Sequence, residues 1–544
     1  MQNIIKILFA VVLMVMGTDK VFSQENNNRQ GVTHKESCTS IMVGKNASTD
    51  GSVMTSHTCD SWYRTWMQMV QPKDYEDGAM ASIYEGRMHT QTPSDSTKMY
   101  LKGKIPQVKH TYRYLDSAYP CLNEKQLAMG ETTFSGRDTL VNKNGMFYIE
   151  ELQRIALERC TTARQAIRLM GELVQTYGYA DGGECLTIAD KNEVWIFEIL
   201  GAGPKKIGAV WAARRIPDDH IAVSANISRI SDIDTNDRNN CMASSNVYSL
   251  AKELGFWDGK EKFSFWKAYS GGNYFGEKKN YSIREFYIMI QLAPSLNLCD
   301  TVEELPLSVK PDNKVSVQDV MNLLASYYKG TDKNLSARLM IPNPKKKDKD
   351  GNIVESEPDS IVSPLANPWM QGNEIKLYNS YAKDTMMQNI RTVSVPWCAY
   401  STVIQLRSWL ADEVGGIAWV CLDNPGESPR FPIFCGNTKL PKMLEICGQH
   451  TDRDDAALWH YRKANRLATV RWGSFSKHIE EAREYFMDKA ARELPFIENL
   501  YAQETDTEKK ETLLNGYTSD FFGATILRWD EMTKRFWRET WSGF

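Results

Sequence analysis

The chain has 544 residues, 42% of them apolar and 24% charged, with a formal net charge of -3 and a pI near 6.3. That is ample material for a buried core, and the near-neutral balance gives no electrostatic basis for binding nucleic acid. The 15 Trp and 24 Tyr imply an aromatic-rich core or an aromatic-lined cleft.

In chain order, Lys6 precedes an unbroken apolar run from Leu8 to Met16, followed by Gly17 and by Val21-Phe22-Ser23 before Gln24. The run is too short to span a bilayer and reads as a secretory signal peptide over residues 1–23. The expected localisation is therefore periplasmic or secreted. No Cys follows the run closely enough to suggest a lipid anchor, and no later segment is apolar enough for stable membrane insertion. Residues 24–37 are polar and read as a propeptide or linker. The 11 cysteines are odd in number and scattered, with no CxxC and no zinc-like Cys/His spacing, so at least one free thiol is expected.

From Cys38 the pattern turns β-like. Ser40 to Val43 and Ser52 to Thr58, joined by a turn-rich link, predict an antiparallel hairpin. Residues 60–145 mix short strands with loops. Residues 147–177 read as helix, with Thr162 and Gln165 resembling a capping box. Further strands are predicted at Cys185–Ala189, Glu193–Leu200, Ala209–Arg214 and His220–Ala225, and another over Arg391–Leu406. The lysine-rich PNPKKKDKDG piece reads as a solvated loop. A helical tail follows from about Asp452 to Glu498, with a short helix near 525–540. Antiparallel strands with intervening helices imply a layered α+β fold.

The most informative stretch is Ser37-Cys-Thr-Ser-Ile-Met-Val-Gly-Lys-Asn-Ala-Ser-Thr-Asp-Gly-Ser, running on to Ser56-His-Thr-Cys-Asp60. It resembles the start of the PepD-like dipeptidases, relatives of the secernins and of the penicillin V acylase and bile salt hydrolase group. The resemblance covers most of residues 38–470. It implies an αββα N-terminal-nucleophile hydrolase sandwich over 38–450, with a helical C-terminal extension over 451–544. It also implies a Cys exposed by removal of what precedes it. A free α-amine has an unperturbed pKa of about 7.7–8.0 and can take the thiol proton near neutral pH. Only the first residue of a chain has that amine, so Cys38 can be both nucleophile and base once the Ser37–Cys38 bond is cut. A lone Cys here would otherwise be a buried thiol in an edge strand.

Further matches name the supporting residues. Asp60 falls where relatives carry a carboxylate beside the nucleophile, and otherwise ends a strand. His57 stands where many relatives have Arg; it is a donor to substrate or to Asp60, or a half-buried strand residue. Leu122-Asn-Glu-Lys-Gln-Leu-Ala-Met-Gly-Glu-Thr-Thr-Phe134 resembles a strand–loop whose end, Glu131 to Thr133, helps build an oxyanion hole; Thr133 is the candidate, and Asn123-Glu124 is otherwise a hairpin turn. Asp218-Asp-His-Ile-Ala-Val-Ser-Ala-Asn-Ile-Ser-Arg-Ile230 resembles the segment carrying an oxyanion-stabilising Asn, here Asn226, which otherwise caps a turn. Asn389-Ile-Arg-Thr-Val-Ser-Val-Pro396 resembles a late strand of the family. Its Arg391 sets charge near the thiol, binds a peptide carboxylate, or is a surface arginine.

The implied activity is hydrolysis of a dipeptide or short peptide through a thioester on Cys38, with no cofactor or metal. The alternatives are a non-peptide amidase acting on acyl-amino acids or bile-acid conjugates, and a catalytically idle envelope binding protein. Side-chain preference and assembly state, homo-oligomers included, stay open.

Overall fold

A computed structural model describes residues 37–541 apart from 272, 275–276, 355–357 and 383–386. The expected signal peptide, and the propeptide up to Glu36, lie outside the described residues. The chain divides into two compact units. Of the smaller, residues 371–389 belong to the part following Met370; there the helix Gly372–Ala382 is followed by Met387, whose backbone exchanges hydrogen bonds with Asn379. The larger unit holds Ser37–Met370 and Ile390 onward.

Two antiparallel sheets form the centre of the larger unit. Their strands are β1 (Ser40–Val43), β2 (Val53–Cys59), β3 (Gln68–Val70), β4 (Tyr114–Asp116), β5 (Leu122–Asn123), β6 (Ala128–Phe134), β7 (Gly183–Ala189), β8 (Val194–Gly201), β9 (Ala209–Ile216), β10 (Ile221–Ser224), β11 (Cys241–Ala243), β12 (Ser308–Val309), β13 (Tyr400–Leu406), β14 (Gly416–Leu422) and β15 (Phe431–Phe434). The first sheet runs β12-β10-β1-β2-β13-β14-β15, and the second β11-β9-β8-β7-β6-β5-β4-β3. Every residue of β2, β7 and β8 is buried. Strands covered on both faces lose the alternation of a half-solvated sheet, which explains the near-continuous apolar run of β8.

The sheets meet face to face, with β2 lying against β6 and β7. Thr55 Oγ1 and Thr187 Oγ1 are 2.6 Å apart across this interface, as are Thr132 Oγ1 and Ser224 Oγ. The buried hydroxyls thus satisfy each other. At Gly130 a Cβ would stand 2.1 Å from the Ser56 carbonyl oxygen, so glycine permits the close approach.

Helices cover the sheets. The principal ones are α1 (Ile149–Arg159), α2 (Ala163–Tyr177), α3 (Ile283–Leu292), α4 (Val317–Leu324), α5 (Ala457–Val470), α6 (Trp472–Gln503) and α7 (Thr507–Trp541). Helix α2 lies on the second sheet, with Gly171 under the Trp211 ring of β9. Helix α7 packs on β15, where Phe431 and Phe522 meet at 5.1 Å between ring centres. Behind β14, the buried Asp423 accepts hydrogen bonds from Arg462 and Asn465 of α5, and Trp529 of α7 donates to Asn465. Among the described residues no helix is long and apolar enough to cross a membrane, and all the cysteines are free, with only Cys299 exposed.

The architecture is α+β, as expected, and the hairpin from Cys38 and the strands between 183 and 225 form close to their predicted bounds. Four elements differ. The helix over 147–177 is two helices, because Asn123 Nδ2 donates to the Leu157 and Cys160 carbonyls and ends α1 there, while Thr162 caps α2. Residues 391–399 are irregular and β13 begins only at Tyr400; Pro396 cannot donate to a ladder. The lysine-rich loop contains a small exposed hairpin, Lys346–Lys347 with Ile353–Val354. The final helix runs 35 residues instead of the short one near 525–540.

Candidate active site

Cys38 lies two residues before β1, and the cross-strand pairing continues past the end of that strand. Thr39 N–H donates to Thr58 Oγ1 at 2.9 Å and Thr58 N–H to the Thr39 carbonyl at 3.0 Å. This draws Asp60 beside the strand that Cys38 leads into, where Thr58 Oγ1 donates to Asp60 Oδ2 at 2.9 Å. Arg391 Nη2 donates to the same carboxylate oxygen at 2.6 Å, and to the carbonyl and hydroxyl oxygens of Ser37 at 2.9 and 3.1 Å. Arg391 and Asp60 are both buried at the side chain, so their charges attract in a poorly screened setting. The expectation of Arg391 on a strand is corrected: its irregular backbone, with the carbonyl taking a hydrogen bond from Tyr328 Oη, turns the guanidinium onto Asp60 and Ser37.

Asn226 follows β10 in the left-handed region, at φ 67. Its Nδ2 donates to the Thr133 carbonyl at 2.6 Å and its Oδ1 accepts from Arg284 Nη2 at 2.8 Å. Arg284 Nη1 also donates to the Cys38 carbonyl at 2.7 Å and to Thr39 Oγ1 at 2.9 Å. Glu285, the next residue, accepts the Ala225 N–H at 2.8 Å while completing a capping box with Ser282. The first turn of α3 thus clamps β1 to the end of β10. Sequence reasoning missed Arg284 and Glu285. The available signal was the Ser282-x-x-Glu285 cap, which marks a helix start without revealing what that start touches.

Glu131 and Thr133 lie within β6, not in a loop beyond it. Thr133 Oγ1 donates to Glu131 Oε1 at 3.2 Å. The Glu131 carbonyl accepts from His57 Nδ1 at 2.7 Å and from Ser40 Oγ at 3.3 Å. Burial lowers the His57 pKa to about 4, opposed only in part by this bond. His57 is therefore a neutral ring, packed edge-on to Tyr119 at 5.2 Å, and does not replace a fixed positive charge. The arginines at the site are Arg391 and Arg284.

The Cys38 thiol is itself buried. Burial pushes its pKa well above the usual value, and the charges of Glu131, Cys59 and Asp60 add to this, against a hydrogen bond from the Asp60 backbone. In this setting the thiol is kept protonated and poorly nucleophilic. The Cys38 sulfur, a His57 ring nitrogen and a Glu131 carboxylate oxygen lie within 4.8 Å of one another, a donor set of the kind that ligates a metal ion. If Nδ1 were the ligating nitrogen, it would first have to release the Glu131 carbonyl.

The structure therefore joins Cys38, Asp60 and Arg391 around Ser37, ties Asn226 and Thr133 to Cys38 through Arg284, and brings in His57 through Glu131.

The sequence model of peptidase family C69 matches residues 37–354 and 361–485. The chain is 27% identical over 456 residues to a probable dipeptidase of Latilactobacillus sakei, covering 81% of this chain and 82% of that one. It is 28% identical over 414 residues to a probable dipeptidase of Salmonella dublin, covering 73% and 81%. A probable dipeptidase B of Lactococcus lactis subsp. lactis is 28% identical over 313 residues, covering 55% and 62%. With its nucleophile candidate inside a match that spans most of the sequence, the chain belongs to peptidase family C69.

Proposed function

We propose that the chain is an exported cysteine dipeptidase of the N-terminal-nucleophile kind, active once Cys38 has become the first residue. The observation that carries this reading is the grip on the Ser37–Cys38 junction, with Arg391 on the Ser37 carbonyl and Arg284 on the Cys38 carbonyl. The dipeptidase names of the relatives support the substrate class. The facing sheets with helices packed on each support the αββα layering expected of such hydrolases. The apolar run from Leu8 to Met16 is the basis for export.

In the mature chain the α-amine of Cys38 takes the thiol proton. The sulfur attacks the carbonyl carbon of the substrate, and negative charge gathers on its oxygen. The C–N bond breaks and the departing amine takes the proton back from the α-ammonium. Water then attacks the thioester with the α-amine again as base, releasing the acid and restoring the thiol. Asp60, itself held by Arg391 and Thr58, orients the amine and thiol. Asn226 stabilises the oxyanion, its side chain fixed by Arg284 and the Thr133 carbonyl.

N-terminal sequencing of the active protein, together with a screen of free dipeptides against acyl-amino acids, tests the reading. An active chain that retains Ser37 overturns it.

A further inference from the structure

The hairpin that presents Cys38 sets a second thiol opposite it. Val43 of β1 pairs with Met54 of β2. The same register, carried toward the chain start, puts Ile41 opposite Ser56, Thr39 opposite Thr58 and Cys38 opposite Cys59. The hydrogen bonds follow it: Ile41 N–H donates to Ser56 Oγ at 2.7 Å, Thr39 N–H to Thr58 Oγ1 at 2.9 Å, and Thr58 N–H to the Thr39 carbonyl at 3.0 Å. We propose that Cys59 is the resolving thiol of Cys38: oxidation of Cys38 ends in a reversible Cys38–Cys59 disulfide, which holds the enzyme inactive until a dithiol reopens it. The loss of activity, though not the bond itself, rests on the reading of Cys38 as the nucleophile.

Backbone geometry is the first argument. Thr39 and Thr58 are joined through their backbones, so the next pair outward is of the other class, in which opposed Cα atoms stand about 4.5 Å apart and the side chains are closest. The Cys59 carbonyl agrees with this, since it faces away from β1 and accepts the Ala399 N–H at 2.7 Å. A disulfide spans Cα separations of roughly 4.4–6.8 Å. Direction is the second argument. The opposed side chains of Ser40 and His57 both reach the Glu131 carbonyl of β6. Strand side chains alternate between faces, so Cys38 and Cys59, two residues further out, project to that same face. Both are buried. After burial and the Glu131 charge, Cys59 is the next influence raising the Cys38 thiol pKa, as neighbouring sulfurs require.

The chemistry gives the pair a use. The Cys38 thiolate attacks hydrogen peroxide, taking one oxygen as a sulfenic acid and releasing hydroxide. The Cys59 thiol then displaces that oxygen as water and forms the S–S bond. In sum, two thiols and one peroxide become one disulfide and two waters. With no second thiol in reach, a sulfenic acid takes up more oxygen and passes to sulfinic acid, which thiols do not reduce. An exported enzyme works where oxidants persist, and a resolving neighbour preserves its nucleophile there.

The test treats mature, Cys38-started protein with hydrogen peroxide and then with dithiothreitol, following Ala-Ala hydrolysis and the mass of the peptides. The wild type should lose activity, lose the mass of two hydrogens, yield a Cys38–Cys59 cross-linked peptide, and recover on reduction. Cys59→Ser should start with normal activity, lose it to peroxide and stay inactive in dithiothreitol, with two or more oxygens added at Cys38. Cys398→Ser, at the other thiol close to Asp60, should behave as the wild type. Recovery of Cys59→Ser on reduction, a Cys38 bond to any other cysteine, or a wild type whose Cys38 gathers oxygens and forms no cross-link would overturn the proposal. If Cys59→Ser does not fold, the wild-type peptide map still decides. A cross-link formed with full activity retained would instead overturn the nucleophile reading, and the inactivation with it.

Discussion

His57 stays neutral in the folded chain down to a pH of about 4, whereas an unfolded histidine protonates near 6.5. Between those values the unfolded state binds more protons, so stability rises with pH and is lost as pH falls through the window. The shift corresponds to about 3 kcal/mol. His57→Asn should flatten the decline in urea midpoint between pH 6.5 and 4; an unchanged slope would assign it to other groups. At Cys38, the uncut chain should resist iodoacetamide and the mature chain should react. Cys38→Ala should abolish hydrolysis while leaving the fold intact, and Cys38→Ser should retain at most a trace; full activity of the Ala variant would remove Cys38 from the mechanism. Asn226→Ala should lower kcat by roughly 10²–10³ with little change in KM; an unaltered kcat in fully processed protein would move the oxyanion donor elsewhere. Cys38, Asp60 and Asn226 were legible because each sits in a local motif. Arg284 was not, because it reaches the Cys38 carbonyl across a sequence separation of 246 residues.

Gly130 controls how closely the sheets approach, since any side chain there meets the Ser56 backbone. Gly130→Ala should cost about 1–3 kcal/mol through overpacking, read as a lowered denaturant midpoint, and should depress kcat because Thr133, whose carbonyl holds the Asn226 side chain, moves with the strand. A variant of normal stability would mean the sheets part without penalty. At this scale, turn signals and apolar runs revealed most strands. They could not reveal the break between α1 and α2, because Asn123 imposes it from outside the segment. Nor could they reveal the full length of α7. Gly516 and Gly523 weaken its helical pattern, while burial of Phe521, Phe522 and Trp529 outweighs that cost. Arg391-Thr-Val-Ser-Val reads as a strand by composition, yet its guanidinium contacts with Asp60 and Ser37 belong to an irregular path.

The C-terminal helices are bound to the first sheet through a buried polar centre as well as apolar packing. Trp529 is fully buried and donates to Asn465, which itself donates to Asp423. Arg462 and its neighbour Arg466 hold Asp423 below the usual carboxylate range even though burial pushes the other way. Trp529→Ala should therefore cost about 3–5 kcal/mol in denaturant unfolding, with near-normal turnover per folded molecule. A loss below 1 kcal/mol would mean the helix is dispensable. Strand order carries a consequence for how the molecule is made. The cysteine strand is synthesised early, but β2 pairs along its length with β13, whose residues emerge from the ribosome more than three hundred positions later. At about 5–20 residues per second, that gap lasts on the order of tens of seconds. Throughout it Arg391 does not yet exist, and the thiol has neither its carboxylate–guanidinium pair nor a closed sheet around it. Translation itself thus delays assembly of the candidate site until nearly three-quarters of the polypeptide has been made.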